Sequence, residues 1–172
     1  ELLRFGIVAD DYGGTPLANT PQASLFQTLL RCVLAPAGPV DLLTVLKHPL
    51  SRFGRESAVS LRAAETLELV ALRGVIGQVD ARTLGDVFER ALLGATERGR
   101  RAGWIDRVSG TDAEAARQIA QTLKDALAPL HVLAAAPQVS VPDAITAAVS
   151  ALEAVGSDEK GSLAALYDGD RG

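Results

Sequence analysis

The sequence has no methionine, a single cysteine, one tryptophan and two histidines among its 172 residues, and aromatic side chains make up only 4% of it. One cysteine, Cys32, excludes an intrachain disulfide and any cysteine cluster of the zinc or iron–sulfur kind. It suits a reducing, cytoplasmic setting. The two histidines, His48 and His131, have no ligand partners at a recognisable spacing, which speaks against a histidine metal site. No apolar run reaches the length of a membrane span. A basic excess is missing as well. The net charge is −4, whereas a free-standing duplex binder relies on cationic side chains to neutralise phosphates. Any nucleic-acid role is therefore local, or borrowed from a larger assembly. Scarce aromatics leave the core to Leu, Val and Ala, which suits closely approaching helices. Without methionine, and starting at Glu1 in the middle of an apolar pattern, the chain reads as a piece of a longer protein.

What is present is a succession of helical patterns. Phe5–Ala9 reads as one short strand, with Ile7 and Val8 favouring extended backbone, and Gly13-Gly14 as the turn after it. Thr20 is a helix cap with Pro21 at the first helical position. Leu25, Phe26, Leu29, Leu30 and Val33 then recur at helical spacing to about Leu34. Pro36 to Pro39 breaks the chain, and Asp41 to Leu46 is a short, nearly all-apolar helix stopped before Pro49. Gly54 closes the next turn. A long helix is expected from Ser57 to Arg73. Another is expected after a Thr83 cap, with Leu84, Val87, Phe88, Ala91 and Leu92 inward. Gly94 to Gly110 is rich in glycine and arginine and reads as loop around Trp104. Thr111-Asp112-Ala113-Glu114 has the form of a capping box. It opens a helix with Ala116, Ile119, Ala120, Leu123 and Leu127 on one side, ended or kinked by Pro129. Ser140 starts a further helix facing inward through Ile145, Ala148, Val149 and Leu152. Ser157 to Gly161 is a polar break, and Ser162 to Tyr167 a final turn of helix. The fold class expected is mainly α: one compact multi-helix domain over residues 1–172, of about six helices, with at most one short N-terminal strand.

Few side chains carry obvious chemistry. Asp10 and Asp11 are adjacent on a strand-like segment and point to opposite faces, so they suit turn hydrogen bonds better than one shared ion. Gly13-Gly14-Thr15 lacks the lysine of a phosphate-cradling loop. His48 sits at a helix end, where Lys47 and His48 complement the helix dipole. The strongest basic stretch holds Arg98, Arg100, Arg101 and Arg107, partly offset by Glu97 and Asp106. Lys47, Arg52 and Arg55 form a second group. Both lie beside glycines, where a loop can approach a phosphate backbone. Trp104 suits either stacking on a base or anchoring its own segment.

Two blocks stand out together: Asp10-Asp11-Tyr12-Gly13-Gly14-Thr15-Pro16-Leu17 followed by Thr20-Pro21, and Leu46-Lys47-His48-Pro49-Leu50. In this order and spacing they resemble the AddB family, the AddB subunit of the AddAB helicase–nuclease that processes double-strand DNA breaks, especially its alphaproteobacterial form. Leu72-Arg73-Gly74 and the segment from Leu166 to Gly172 are weaker likenesses. Tyr12 and Gly13 depart from the family's commoner Ser-Ala. The resemblance implies an internal helicase-like region, near where such motors insert a helical accessory subdomain. It implies DNA and an AddA-type subunit as partners within the full complex, and a bacterial, nucleoid-associated location. No catalytic residue and no cofactor carry over, because neither the ATP motifs nor the four nuclease cysteines fall here. The motif positions Asp10, Asp11, Gly14, Pro16, Thr20, Pro21, Lys47, His48 and Pro49 are expected to be structural. Two other readings compete. One is a free-standing helical scaffold domain. The other is a small hydrolase or transferase, which the lack of any nucleophile–base or metal constellation disfavours.

Overall fold

Thr20 and Pro21 begin the first helix as their chemistry dictates. The Thr20 hydroxyl accepts the amide of Ala23 at 3.3 Å, and Pro21 sits where no amide is needed. In the computed structural model, residues 16–35, 38–73, 78–97 and 103–167 are described. The strand expected at Phe5–Ala9 lies outside them, as do Asp10, Asp11, Gly14, Arg98, Arg100 and Arg101. The described residues form seven α-helices and no strand. These are α1 (Pro21–Leu34), α2 (Pro39–Leu46), α3 (Ser57–Leu67, extended by a π-helical turn Glu68–Leu72), α4 (Leu84–Glu97), α5 (Gly110–Ala135), α6 (Val141–Gly156) and α7 (Ala164–Tyr167). The mainly α, compact arrangement expected from the sequence is what the chain adopts.

The long α5 is the centre of the bundle and touches α1, α3, α4 and α6. Its stripe of Ala116, Ile119, Ala120, Leu123 and Leu127 is fully buried, as the spacing predicts. Leu25 and Leu29 of α1, Leu42, Val45 and Leu46 of α2, Leu67 of α3, and Leu84 and Phe88 of α4 complete one continuous core. Cys32 is buried in it too, and burial pushes its thiol up to about 12, with Asp41 adding to the rise. At that value the sulfur is a small hydrophobe rather than a nucleophile.

Four expectations are corrected. The cap of α5 is Ser109, not Thr111. Its hydroxyl accepts the Asp112 amide at 3.0 Å, so the helix starts at Gly110. Pro129 does not end α5, which continues to Ala135. The turn before α4 is organised by Asp80, whose carboxylate accepts the amides of Arg82 and Thr83, while the Thr83 hydroxyl points back at Asp80. Finally, α6 buries Ala148, Ala151, Val155 and Gly156, leaving Ile145 and Val149 exposed. Small residues win that face because they allow close contact. A methyl group on Gly156 would lie 2.5 Å from the Leu166 side chain of α7.

Helix directions set the two ends of the molecule. The start of α3 and the start of α5 share one cavity, lined by Glu56, Ala58, Arg62, Thr111 and Asp112 among others. Glu89 pairs with Arg117, and Arg82 shares a cleft with Lys124, so α4 runs antiparallel to α5. The end of α1, the end of α5 and the start of α6 line a common apolar groove, so α6 is also antiparallel to α5. One end of the bundle thus gathers the starts of α3 and α5 and the ends of α4 and α6.

Candidate nucleic-acid interface

The Lys-His-Pro-Leu block and the residues after it form a densely hydrogen-bonded loop. Ser51 donates its hydroxyl to the Val45 carbonyl at 2.6 Å, which also accepts the His48 amide at 3.3 Å, so the end of α2 is closed twice over. The Leu50 amide donates to Nδ1 of His48 at 3.2 Å, a bond that only the neutral imidazole accepts. Ser60 of α3 donates its hydroxyl to the Arg52 carbonyl. The amides of Arg52 and Phe53 both donate to the Val155 carbonyl at 2.8 Å, and that of Gly54 to Ser157. The loop therefore caps the C-terminal end of α6. To do so it turns through two left-handed residues, Phe53 at φ 53° and Gly54 at φ 70°. Thr20, Pro21, Lys47, His48 and Pro49, motif positions inside the described residues, sit at helix ends and in this loop. Pro16 stands just before the short 3₁₀ turn Leu17–Asn19 and accepts the Asn19 amide through its carbonyl.

The cations of the described residues sort into two kinds. Arg31 pairs with Asp41, Lys47 and Arg73 with Glu68, Arg82 with Asp80, and Arg117 with Glu89 and Glu114. Lys47 thus has its charge engaged by the π-helical turn, although it also lines a small cavity with Arg52, Ser57 and Leu61 at the start of α3. Its hydrogen bond is the main reason that the Glu68 carboxyl lies below its ordinary value. Arg52 is used locally as well, donating to the carbonyls of Pro49 and Ser51. Arg55 and Arg107 have no ion pair among the described residues, and both stand at the end where α3 and α5 begin. Glu97 and Gly103, which flank the arginine-rich residues 98–102, reach this same end. Arg55 and Arg107, one from each of two basic groups separate in sequence, thus stand at the same end of the bundle.

Two cations at this end escaped the sequence reading. Arg62 is exposed on α3 and lines the cavity with Thr111 and Asp112. Lys160 is exposed in the Ser157–Gly161 turn, three residues beyond the Ser157 carbonyl that receives the Gly54 amide. The polar break at 157–161 was the available signal for Lys160. Arg62 had none, because its helix reads as an ordinary amphipathic one. Glu56, Asp112, Asp158 and Glu159 interleave with these cations, so the surface is mixed rather than strongly positive. Trp104 packs against the core and anchors its segment.

At the opposite end, Cys32, Asp80, Arg82 and His131 line a cavity of about 290 Å³. Burial pushes Asp80 up, but hydrogen bonds from Arg82 and Thr83 outweigh it and leave its pKa lowered. His131 is pushed down by burial and by Arg82, with Asp80 opposing, and its Nε2 is buried without a partner. Among the described residues no group of three or more His, Cys, Asp or Glu converges on a metal position. No helix of the described residues is long and apolar enough to cross a membrane.

Both histidines give acid sensitivity a definite sign. His48 is pushed below its ordinary 6.5 by burial, and His131 is lowered too. The folded state then binds fewer protons than the unfolded one, so stability rises with pH. The contribution is complete above pH 6.5 and is lost as pH falls from there through the depressed folded values. Glu68 and Asp80, also depressed, add a second loss below the ordinary carboxylate range. Urea midpoints measured from about pH 8 to about pH 2 should fall in two stages. A midpoint that stays flat through the histidine range would show that neither imidazole is held neutral.

Comparison with protein families, with characterised proteins and with solved structures finds no match to this chain.

Proposed function

We propose that this chain is a non-catalytic helical module of an AddB-type subunit in a DNA double-strand break repair helicase–nuclease, engaging DNA weakly and contacting a neighbouring AddA-type subunit. The observation that carries the DNA part is the gathering of Arg55 and Arg107, both without an ion pair among the described residues, at one end of the bundle. The two sequence blocks that suggest the family support the rest. Contact is with phosphates, through cationic side chains that read no base edge, while the half-buried Trp104 packs against the core. Interleaved carboxylates and the net charge of −4 keep the affinity low and salt-sensitive.

The test is binding of a labelled duplex by anisotropy across a salt titration. Wild type should bind at low salt with a shallow slope, near 0.9 per neutralised phosphate, and lose binding near physiological salt. Arg55→Glu with Arg107→Glu should abolish the low-salt binding without lowering the thermal midpoint. Wild type that shows no low-salt binding, or a double variant that binds as wild type does, sinks the DNA reading.

A second reading, a helical scaffold for another protein, is favoured by a different surface. From Val132 to Leu152 the only charged residue is Asp143, yet Val132, Val141 and Ile145 are 71, 69 and 59% exposed. A surface so poor in charge suits protein contact rather than phosphates.

A further inference from the structure

The ion-pairing pattern extends the contact surface beyond the residues named so far. Paired cations on the sides and at the far end of the bundle are Arg31 at the end of α1, Arg82 before α4 and Arg117 midway along the α4–α5 seam, while Arg90 and Lys124 on the α4–α5 side have no ion pair among the described residues. At the near end, Arg62 and Lys160 join Arg55 and Arg107 in having no ion pair among the described residues. Arg62 stays unpaired although Glu56 and Asp112 line the same cavity of about 370 Å³. Asp112 is instead committed to Ser109, whose hydroxyl donates to its carboxylate at 2.6 Å. Lys160 is unpaired although Asp158 is two residues away; Oδ1 of Asp158 accepts the amides of Lys160 and Ser162 at 2.9 and 2.8 Å. Local turn chemistry thus engages one oxygen of each of these carboxylates, and neither cationic head has an ion pair among the described residues. Their positions bracket the loop 52–55, Arg62 on its α3 side and Lys160 on its α6 side.

We infer that Arg62 and Lys160 are phosphate contacts, and that a nucleic-acid backbone crosses this end of the bundle from the start of α5, past Arg62 and the 52–55 loop, to the 157–161 turn. This rests on the DNA reading above and assigns its path. Each contact releases about one counterion equivalent, so each leaves its own mark on the salt dependence. The path carries no base-reading group, so both variants should weaken binding equally on unrelated sequences.

The experiment measures anisotropy of a labelled duplex at several low salt concentrations, using the full chain. Arg62→Ala and Lys160→Ala should each reduce the salt slope by about 0.9. Arg62→Lys should restore most of it, because charge rather than fork geometry is required. Arg31→Ala, which removes a paired cation at the far end, should leave the slope unchanged. All three side chains are exposed, so unchanged thermal midpoints should confirm intact folds. If Arg62→Ala and Lys160→Ala keep the wild-type slope while Arg55→Glu with Arg107→Glu loses binding, the path is wrong and the DNA reading stands. If wild type shows no binding at the lowest salt, both are overturned.

Discussion

Phe53→Ala is expected to destabilise the protein by about 3–5 kcal/mol, and Phe53→Gly by roughly 0.5–1 kcal/mol less. The side chain is 4% exposed and lies in the core, so either change removes the same buried ring. The two differ in the backbone. Residue 53 sits at φ 53°, where a Cβ costs about 1–2 kcal/mol. Glycine escapes that cost and gives back part of the gain as unfolded-state entropy, about 0.5–1 kcal/mol. Normally glycine is the worse replacement, so the inverted order is diagnostic. Urea unfolding of both variants decides it. If glycine proves more damaging than alanine, the left-handed backbone at 53 is not what the ring is holding in place.

Leu46→Ala should cost about 2–5 kcal/mol, as large-to-small core changes do. Leu46 is 1% exposed and ends α2 immediately before Lys47. Lys47→Ala removes an exposed partner of Glu68 and should cost under about 1 kcal/mol. The contrast between adjacent positions tests whether the Leu-Lys-His-Pro-Leu block is a packing element. Equal, small effects at both would mark the block as a surface kept for binding, and the family motif would need a different explanation.

Wherever one strong local signal acted alone, the fold was readable from the sequence. Thr20-Pro21 placed the start of α1, and the α5 stripe was correct residue by residue, because a long helix with one apolar side has a single way to face the core. The reading failed where two local signals competed. Ser109 and Thr111 are both acceptable caps, and the one nearer the 3₁₀ turn Ile105–Arg107 prevails. Pro129 reads as ending or kinking the helix; it does not end it, since the helix continues to Ala135 with Leu127 and Leu130 buried on either side. In α6 the larger side chains Ile145 and Val149 looked like the core, yet the alanine side is buried, since Gly156 and Leu166 demand close approach. The candidate interface was legible only in part. Arg55 and Arg107 could be named from composition, but their meeting at one end depends on helix directions. Which cations are free depends on ion pairs such as Lys47–Glu68, made across 21 residues.

The clamp between loop 52–54 and the Val155 and Ser157 carbonyls links positions about a hundred residues apart. Its three amides belong to a segment without regular structure, yet they should exchange with solvent as slowly as those of the inner helices, because opening them uncaps α6. The same linkage orders events during synthesis. Residues 47–56 are made early, but their left-handed turn has nothing to hold it until α6 has emerged. The nascent chain must therefore carry that segment unclosed through most of its elongation, and a truncation before Val155 should leave the first third of the chain without its lock.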